Sequence, residues 1–443
     1  MTFEQFKTAC FEHALQKGCE SAEVYAVSSD GFSVNVLNRE IIKYAVERNS
    51  GLNLRVLYGG KNGYAYTEKL EDPETLVDHA IDNAKAIENT DVNPMQGACA
   101  YPEITEKPNP VVDLPEEEKI RLALDLERDT LAYDPRVNRM GYCDVDTGEI
   151  ETHISNTLGL DAHEKKRYSY AVLAPILRQG EEEHESYSFK FGPDVTDCKD
   201  IIRESVENAS MQFNASSVDS GEYRILLRND AAGDLLQAFC SMFFAGQVQK
   251  GLSLLTGKLD QSIASSAITI LDDPFEADNP RAFDAEGVPS VLTTVVEHGT
   301  LKSYLYNLKT ALKDGVASTS NAGRMGTASP VDTAPSNFYI VKGEQSYDAL
   351  VAALGNGLII TELSGLHAGL NPISGDFSLI AKGLLVENGK VVRSVDQITC
   401  AGNFLSLMQN IEAVGSDLRF GIPGFGRVGS PSLLISKLVV SGK

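Results

Sequence analysis

The chain has 443 residues, of which 42% are hydrophobic, 23% charged and 7% aromatic. That is the make-up of a folded globular protein and excludes a disordered or fibrous one; the length exceeds the roughly 250–300 residues at which a single core stops growing, so at least two domains are expected. The net charge of −23 is concentrated in residues 1–220, where 41 acidic residues face 22 basic ones, and a field of that sign repels phosphate backbones and argues against nucleic-acid binding.

The first segment reads as a helix. Thr2 and Gln5 form a capping-box pattern, Phe3, Phe6, Cys10 and Ala14 fall at helical spacing, and Gly18 stops it. Alternation in Glu23 to Val27, Phe32 to Leu37, Ile41 to Val46 and Leu52 to Leu57 then predicts an antiparallel meander of short strands. A second helix is expected after Asp72-Pro73, with Asp72 as N-cap, Pro73 at the first helical position, and Leu76, Val77, Ala80, Ile81, Ala84 and Ile87 on one face.

The Pro-containing stretch 93–115 breaks the pattern. A helix from Pro115 to about Ala132, β-like segments between Gly141 and Phe191, and a helix over Asp197 to Met211 complete an N-terminal domain, 1–216. The polar run Asn214 to Gly221 reads as the linker to a C-terminal domain, 217–443, because composition and charge change there. That domain opens on a buried-type strand, Tyr223 to Leu227, followed by a helix from Ala231 and several short strands, including a His298-Gly299 turn between Val295-Val296 and Leu301. The expected class is α+β: N-terminal helices on an antiparallel sheet, then a β-rich domain.

Seven scattered cysteines, an odd count without a Cys-x-x-Cys pair, suggest neither a zinc knuckle nor a disulfide framework and fit a reducing cytosol. The N-terminus has no basic region followed by an apolar run, and nowhere do about 18 apolar residues occur in succession. A cytoplasmic protein without a membrane span is expected. There is no Walker loop, Rossmann fingerprint or Gly-x-Ser-x-Gly elbow.

The most telling stretch runs from Ser364 to Gly402. It contains Ser-Gly-Leu-His-Ala-Gly-Leu-Asn-Pro-Ile-Ser-Gly-Asp-Phe-Ser, then Leu-Leu-Val-Glu-Asn-Gly-Lys-Val-Val, then Gln-Ile-Thr-Cys-Ala-Gly. Asn388-Gly389 between apolar runs is a tight-hairpin signal. The order and spacing of these strings resemble the signature of the TldD/PmbA metallopeptidase family. Asn321-Ala-Gly-Arg324 resembles the family's Asn-Gly-Arg loop, and Pro431 to Ile435 through Val440-Ser-Gly442 resembles the closing strand of its PmbA branch, also called TldE.

Active members of that family carry a Leu-Leu-His-Glu-x-x-x-His helix in which two histidines bind zinc and the glutamate is the general base. The matching passage here is Leu235-Leu236-Gln237-Ala238-Phe239-Cys240-Ser241-Met242, so Gln237 and Met242 stand in the histidine positions and Ala238 in that of the glutamate. An amide oxygen is a poor zinc ligand, a thioether is soft and weak, and a methyl group cannot accept a proton. No zinc and no catalytic residue are expected in this chain. The third family ligand, a cysteine, would fall in Gly421-Ile-Pro-Gly-Phe-Gly426, which has none.

The resemblance implies a cytoplasmic subunit that pairs with a TldD-type metalloprotease, which would hold the zinc, and acts on unfolded peptide in peptide maturation or degradation; a homodimer of this chain is compatible with it. Residues matched to the signature, Asn321, Gly323, Arg324, His367, Asn371, Ser374, Gly375 and Asp376, either line a peptide-holding surface or only shape hairpin turns; the sequence leaves both readings open. An alternative is an active peptidase with a relocated metal site using His367, Asp376 and Cys400. The family's older association with modulation of DNA gyrase suggests a third idea, direct DNA or gyrase binding, which the acidic first half opposes.

Overall fold

A computed structural model describes residues 1–88, 93–424 and 426–443. The chain forms two compact units. The first comprises residues 1–210 with two later segments, 280–290 and 324–331, and the second the remainder.

The first unit contains α1 (Phe3–Gln16), β1 (Ser21–Leu37), β2 (Glu40–Tyr58), β3 (Lys61–Thr67), α2 (Pro73–Ala86), α3 (Glu116–Tyr133), β4 (Val137–Asn156), β5 (Asp161–Gln179), β6 (Glu182–Glu185), β7 (Ser188–Phe191) and α4 (Lys199–Ser210). The strands form one antiparallel sheet in the order β3-β2-β1-β4-β5-β6, with β7 also on β5. At the start of α1 the Gln5 amide donates to Thr2 Oγ1 at 3.2 Å and the Thr2 amide donates to Gln5 Oε1 at 3.1 Å, a complete capping box. Helices α1 and α2 bury Phe6, Cys10, Leu76, Val77, Ala80 and Ile81 against Val24, Leu52, Leu54 and Val56. Farther along the same sheet, Ala123 and Leu126 of α3 and Ile201 and Ile202 of α4 cover Phe32, Val34, Cys143 and Leu173.

Two expectations need correction here. The four short strands expected before α2 are two long ones: Ser28 to Gly31 does not turn but pairs in unbroken register with Glu47 to Ser50. Small and polar residues suit a strand whose neighbours are also strands, and the real turn is Asn38-Arg39, with φ of 58° and 61°. Asp72 does precede α2, but in a left-handed conformation with no side-chain capping bond, and Ile87 lies beyond the helix and is exposed.

In the second unit the elements are β8 (Gly221–Leu227), α5 (Asn229–Phe239), α6 (Ala245–Gln249), β9 (Ile270–Asp272), β10 (Thr293–Glu297), β11 (Thr300–Leu301), α7 (Leu308–Asp314), β12 (Ala322–Gly323), β13 (Asp332–Thr333), β14 (Asn337–Ile340), α8 (Tyr347–Leu354), β15 (Gly357–Ser364), β16 (Asp376–Glu387), β17 (Lys390–Asn403), α9 (Phe404–Gln409), β18 (Ile411–Val414), β19 (Arg419–Phe420), β20 (Arg427–Ser430) and β21 (Leu433–Ser441). One sheet has the order β17-β16-β15-β8-β21-β18, and a further pairing of β17 with β21 closes five of its strands into a ring. A second sheet runs β11-β10-β9-β14-β20-β19. Phe239 of α5, Phe243, Phe338 and Phe404 are almost wholly buried in the shared core, with Phe239 stacked on Phe404 at 4.6 Å between ring centroids.

Candidate functional site

Strand β8 places Ile225 to Leu227 in the core, and α5 follows at once. Its inner face is apolar: Ala231, Ala232, Leu235, Leu236 and Phe239 are buried. Its outer face carries Asp234, Gln237 and Ala238, and Gln237 is exposed. A Cβ built on Gly421 would lie 3.7 Å from Gln237 Oε1, so the first degenerate metal position adjoins the segment in which a third ligand was sought; Phe425 of that segment lies outside the described residues.

The regular helix ends at Phe239, and residues Cys240–Phe243 form a tighter 3-10 turn. Met242, seven residues after Leu235 and three after Phe239, falls on the inner face, where it is 1% exposed. Gln237 and Met242 therefore point to different environments, one solvated and one dry, in addition to lacking the donor chemistry. This arrangement does not fit a zinc ion. Among the described residues, no group of three or more His, Cys, Asp and Glu side chains is arranged to hold a metal. One acid here escaped the sequence reading: Asp234, a turn before Ala238, has its carboxyl pushed up to about 6 by burial and by Asp230, with Arg419 opposing.

The second part of the site is the turn between β15 and β16. Asn371 Oδ1 accepts from the amides of Ile373 at 2.9 Å and Ser374 at 3.3 Å, while its backbone bonds to Asp376 and Gly375. These are Asx-type bonds that shape the turn. Gly375 has φ +78°, and a Cβ there would meet Leu254 Cδ1 at 2.7 Å, so the position requires glycine. Asn403, at the end of β17, donates from Nδ2 to Ser374 O at 2.9 Å and to Asp376 Oδ1 at 3.0 Å. The Asn403 amide first and the Ser374 side chain second hold the exposed Asp376 carboxyl below its ordinary range. Asn371, Ser374, Gly375 and Asp376 are thus brought together, and Asn403, which the sequence did not single out, ties them to the ring of strands. His367 is exposed in the preceding turn.

Two other groups of residues lie elsewhere. Asn321 is fully buried and donates to Asp272 Oδ2 at 2.7 Å and Ala334 O at 3.1 Å, so it braces a loop in the second unit and offers no surface to a peptide. Gly323 pairs with Asp332 in a two-residue ladder. Arg324 belongs to the first unit: its side chain is 1% exposed, stacks on Tyr25 at 4.3 Å and lies 3.9 Å from Glu23, which also pairs with the buried Arg55 at 2.9 Å. Burial lowers the Arg324 pKa despite Glu23. The Asn-Gly-Arg loop is therefore not one binding element.

The relocated metal site also fails on geometry. Cys400 pairs with Leu379 and Asn403 with Asp376 across β16 and β17. Leu379 and Cys400 face the core, whereas Asp376, three positions from Leu379, is on the exposed side. Burial pushes the Cys400 thiol up to about 12, the opposite of what a thiolate ligand needs.

Among the described residues, no helix is long and apolar enough to cross a membrane. Sequence comparison matches residues 220–442 to the PmbA/TldA metallopeptidase C-terminal domain, 22–87 to its domain 1 and 109–213 to its central domain. A Methanothermobacter thermautotrophicus protein named metalloprotease is 27% identical over 94% of this chain and 92% of its own. The metalloprotease PmbA of Escherichia coli O157:H7 is 25% identical over 90% of this chain and 88% of its own. Among solved structures, a Thermotoga maritima protein carrying the name modulator of a DNA gyrase superposes with a TM-score of 0.90 at 32% identity, covering 99% of this chain and 100% of that one. TldE of Thermococcus kodakarensis shares the fold, with a TM-score of 0.90 at 20% identity over 99% of this chain and 100% of its own. The chain belongs to the PmbA/TldD metallopeptidase family.

Proposed function

We propose that this chain is a TldE-type member of the PmbA branch, a cytoplasmic subunit that assembles with a TldD-type metalloprotease and helps hold extended peptide for cleavage or maturation by that partner. The observation that carries this reading is the side-chain set on α5 and the turn after it: an exposed amide at Gln237, a methyl at Ala238 and a buried thioether at Met242. None of these serves as a zinc ligand of the expected kind or moves a proton. Zinc would reside in the partner. The turn bearing Asn371, Ser374, Gly375 and Asp376, braced by Asn403, presents the exposed side chains of Asn371 and Asp376, and supports a role in holding peptide by hydrogen bonds.

The test is reconstitution with a TldD-type protein. The chain alone is expected to give no peptide turnover and no stoichiometric zinc by metal analysis, and the mixture to form a complex that turns peptide over. Gln237→Ala should leave that turnover unchanged, whereas Asn371→Ala with Asp376→Asn should reduce it roughly tenfold, the loss of one or two hydrogen bonds to substrate. Turnover or one bound zinc per chain in the isolated protein would refute the assignment.

A further inference from the structure

The sheet of the first unit bears a second constellation that the peptidase-type site does not use. Helices α3 and α4 close one face of β1, β4 and β5 over Val34, Cys143, Val145 and Leu173. On the other face, cross-strand register sets Asp144 beside Asn35, Asp146 beside Tyr170, Tyr170 beside Phe191 and Val172 beside Phe189. Phe283 and Tyr101 seal this face at its Ile154 and Ala162 end. Beyond that it is open, with Tyr142 44% and Tyr187 56% exposed.

Four rings form a row across the open part. Centroid spacings are 6.5 Å from Tyr187 to Phe189, 5.5 Å from Phe189 to Phe191 and 5.5 Å from Phe191 to Tyr170. Two carboxylates border the row: Asp144, to which Asn35 Nδ2 donates, and Asp146, opposite Tyr170 in the strand register. Both acids are half-buried.

We propose that this face binds an extended polypeptide through its lysine and arginine side chains, each cation lying over the Tyr170 and Phe191 rings with its charge toward Asp144 and Asp146. This names the substrate class for the peptide-holding role above and rests on that reading. Ring faces and carboxylates attract the same ligand, a cation with an apolar stem, and an acidic chain is repelled. Side chains on one face of an extended peptide repeat at about 6.7 Å, close to the ring spacings, so the row suits successive side chains of one chain better than a single small cation.

The test uses the full chain and fluorescence anisotropy with three labelled decapeptides of one sequence, carrying Lys, Gln or Glu at alternate positions. The Lys peptide is expected to bind at least tenfold more tightly than the Gln peptide, with the Glu peptide weakest and the difference shrinking in 0.5 M salt, a concentration chosen to screen charge. Asp144→Asn with Asp146→Asn, and separately Phe191→Leu, should each reduce Lys-peptide affinity about tenfold, with melting temperature measured in parallel to confirm folding. Equal binding of the Lys and Gln peptides, no effect of the folded variants, or displacement by spermine at equal charge as effective as by the peptide would overturn the proposal. Failure here leaves the subunit assignment standing if a peptide without basic residues is still turned over by the reconstituted pair. Conversely, loss of that turnover with Lys-peptide binding intact would discard the assignment and keep this surface.

Discussion

Asp146 shows how one side chain can serve binding at the expense of stability. Burial, with the nearby Asp144 and Glu47 adding to it and Tyr170 and Lys43 opposing, raises its carboxyl from an ordinary value of 3.8 to about 6. Between these two values the native state holds more protons than the unfolded chain, so stability contributed below about pH 4 is lost as pH rises through 6. The Asp146→Asn variant should therefore flatten the pH dependence of stability between pH 4 and 6. It should raise the melting temperature at pH 7 by a few degrees at most, since solvent screening of this partly exposed group limits the gain to about 1 kcal/mol. Thermal denaturation across that pH range checks it, and an unchanged slope would show that Asp146 titrates normally. The same substitution weakens cation binding in the proposal above, which separates loss of function from loss of fold.

At the level of elements, the hairpin of β16 and β17 is where local sequence and structure agree most closely. Asn388 and Gly389 have φ of 51° and 70°, the two left-handed positions of a type I′ turn that matches strand twist. The burial of β16 alternates strictly over its first six residues, and its sequence alternates with it from Asp376 to Leu379, Ile380 being an exposed apolar residue. Gly389→Ala should cost about 1–2 kcal/mol, because the residue is left-handed and its Cβ would come within 3.2 Å of Ala352 Cα in α8. Asn388→Gly should be nearly neutral, and urea denaturation of both variants tests the turn type. Helices α1 to α4 were legible for the same reason, since apolar spacing, and at α1 the capping box, are local properties. What escaped the sequence depends on distant partners. Ser28 to Gly31 resembles a turn until its pairing with β2 is known. Asn403 matters through Asp376, 27 residues away, and Arg324 is buried by Glu23, which no local pattern links to it. The motif from Leu235 to Met242 was legible both as chemistry and in space, since a spacing of five residues sets Gln237 and Met242 about 140° apart around a helix.

For the molecule as a whole, the first unit is completed by chain that comes after the start of the second. Phe283, 5% exposed, packs with Ile154, Leu160 and Ala162, and Tyr101 donates to Gly287 O at 3.0 Å. Gly287 is left-handed, and a Cβ on it would lie 2.6 Å from Leu160 Cδ2, so this segment fits its groove without spare room. Arg324 adds a second guanidinium beside Glu23, which Arg55 already pairs. A fragment of residues 1–213 has every strand of the first sheet but lacks segments 280–290 and 324–331. Exposing the Phe283 contact surface costs about 1.5–3 kcal/mol, and loss of the Gly287 and Arg324 contacts adds to it. The fragment is expected to keep most of its strand signal yet to melt several degrees below the full chain. Hydrogen exchange should accelerate at Ile154 to Ala162 and around Tyr25, while Leu173 and Val145, beneath α3 and α4, stay protected. Equal protection of Ile154 to Ala162 in fragment and full chain would mean that the two segments merely rest on a finished domain, and that the first unit folds without them.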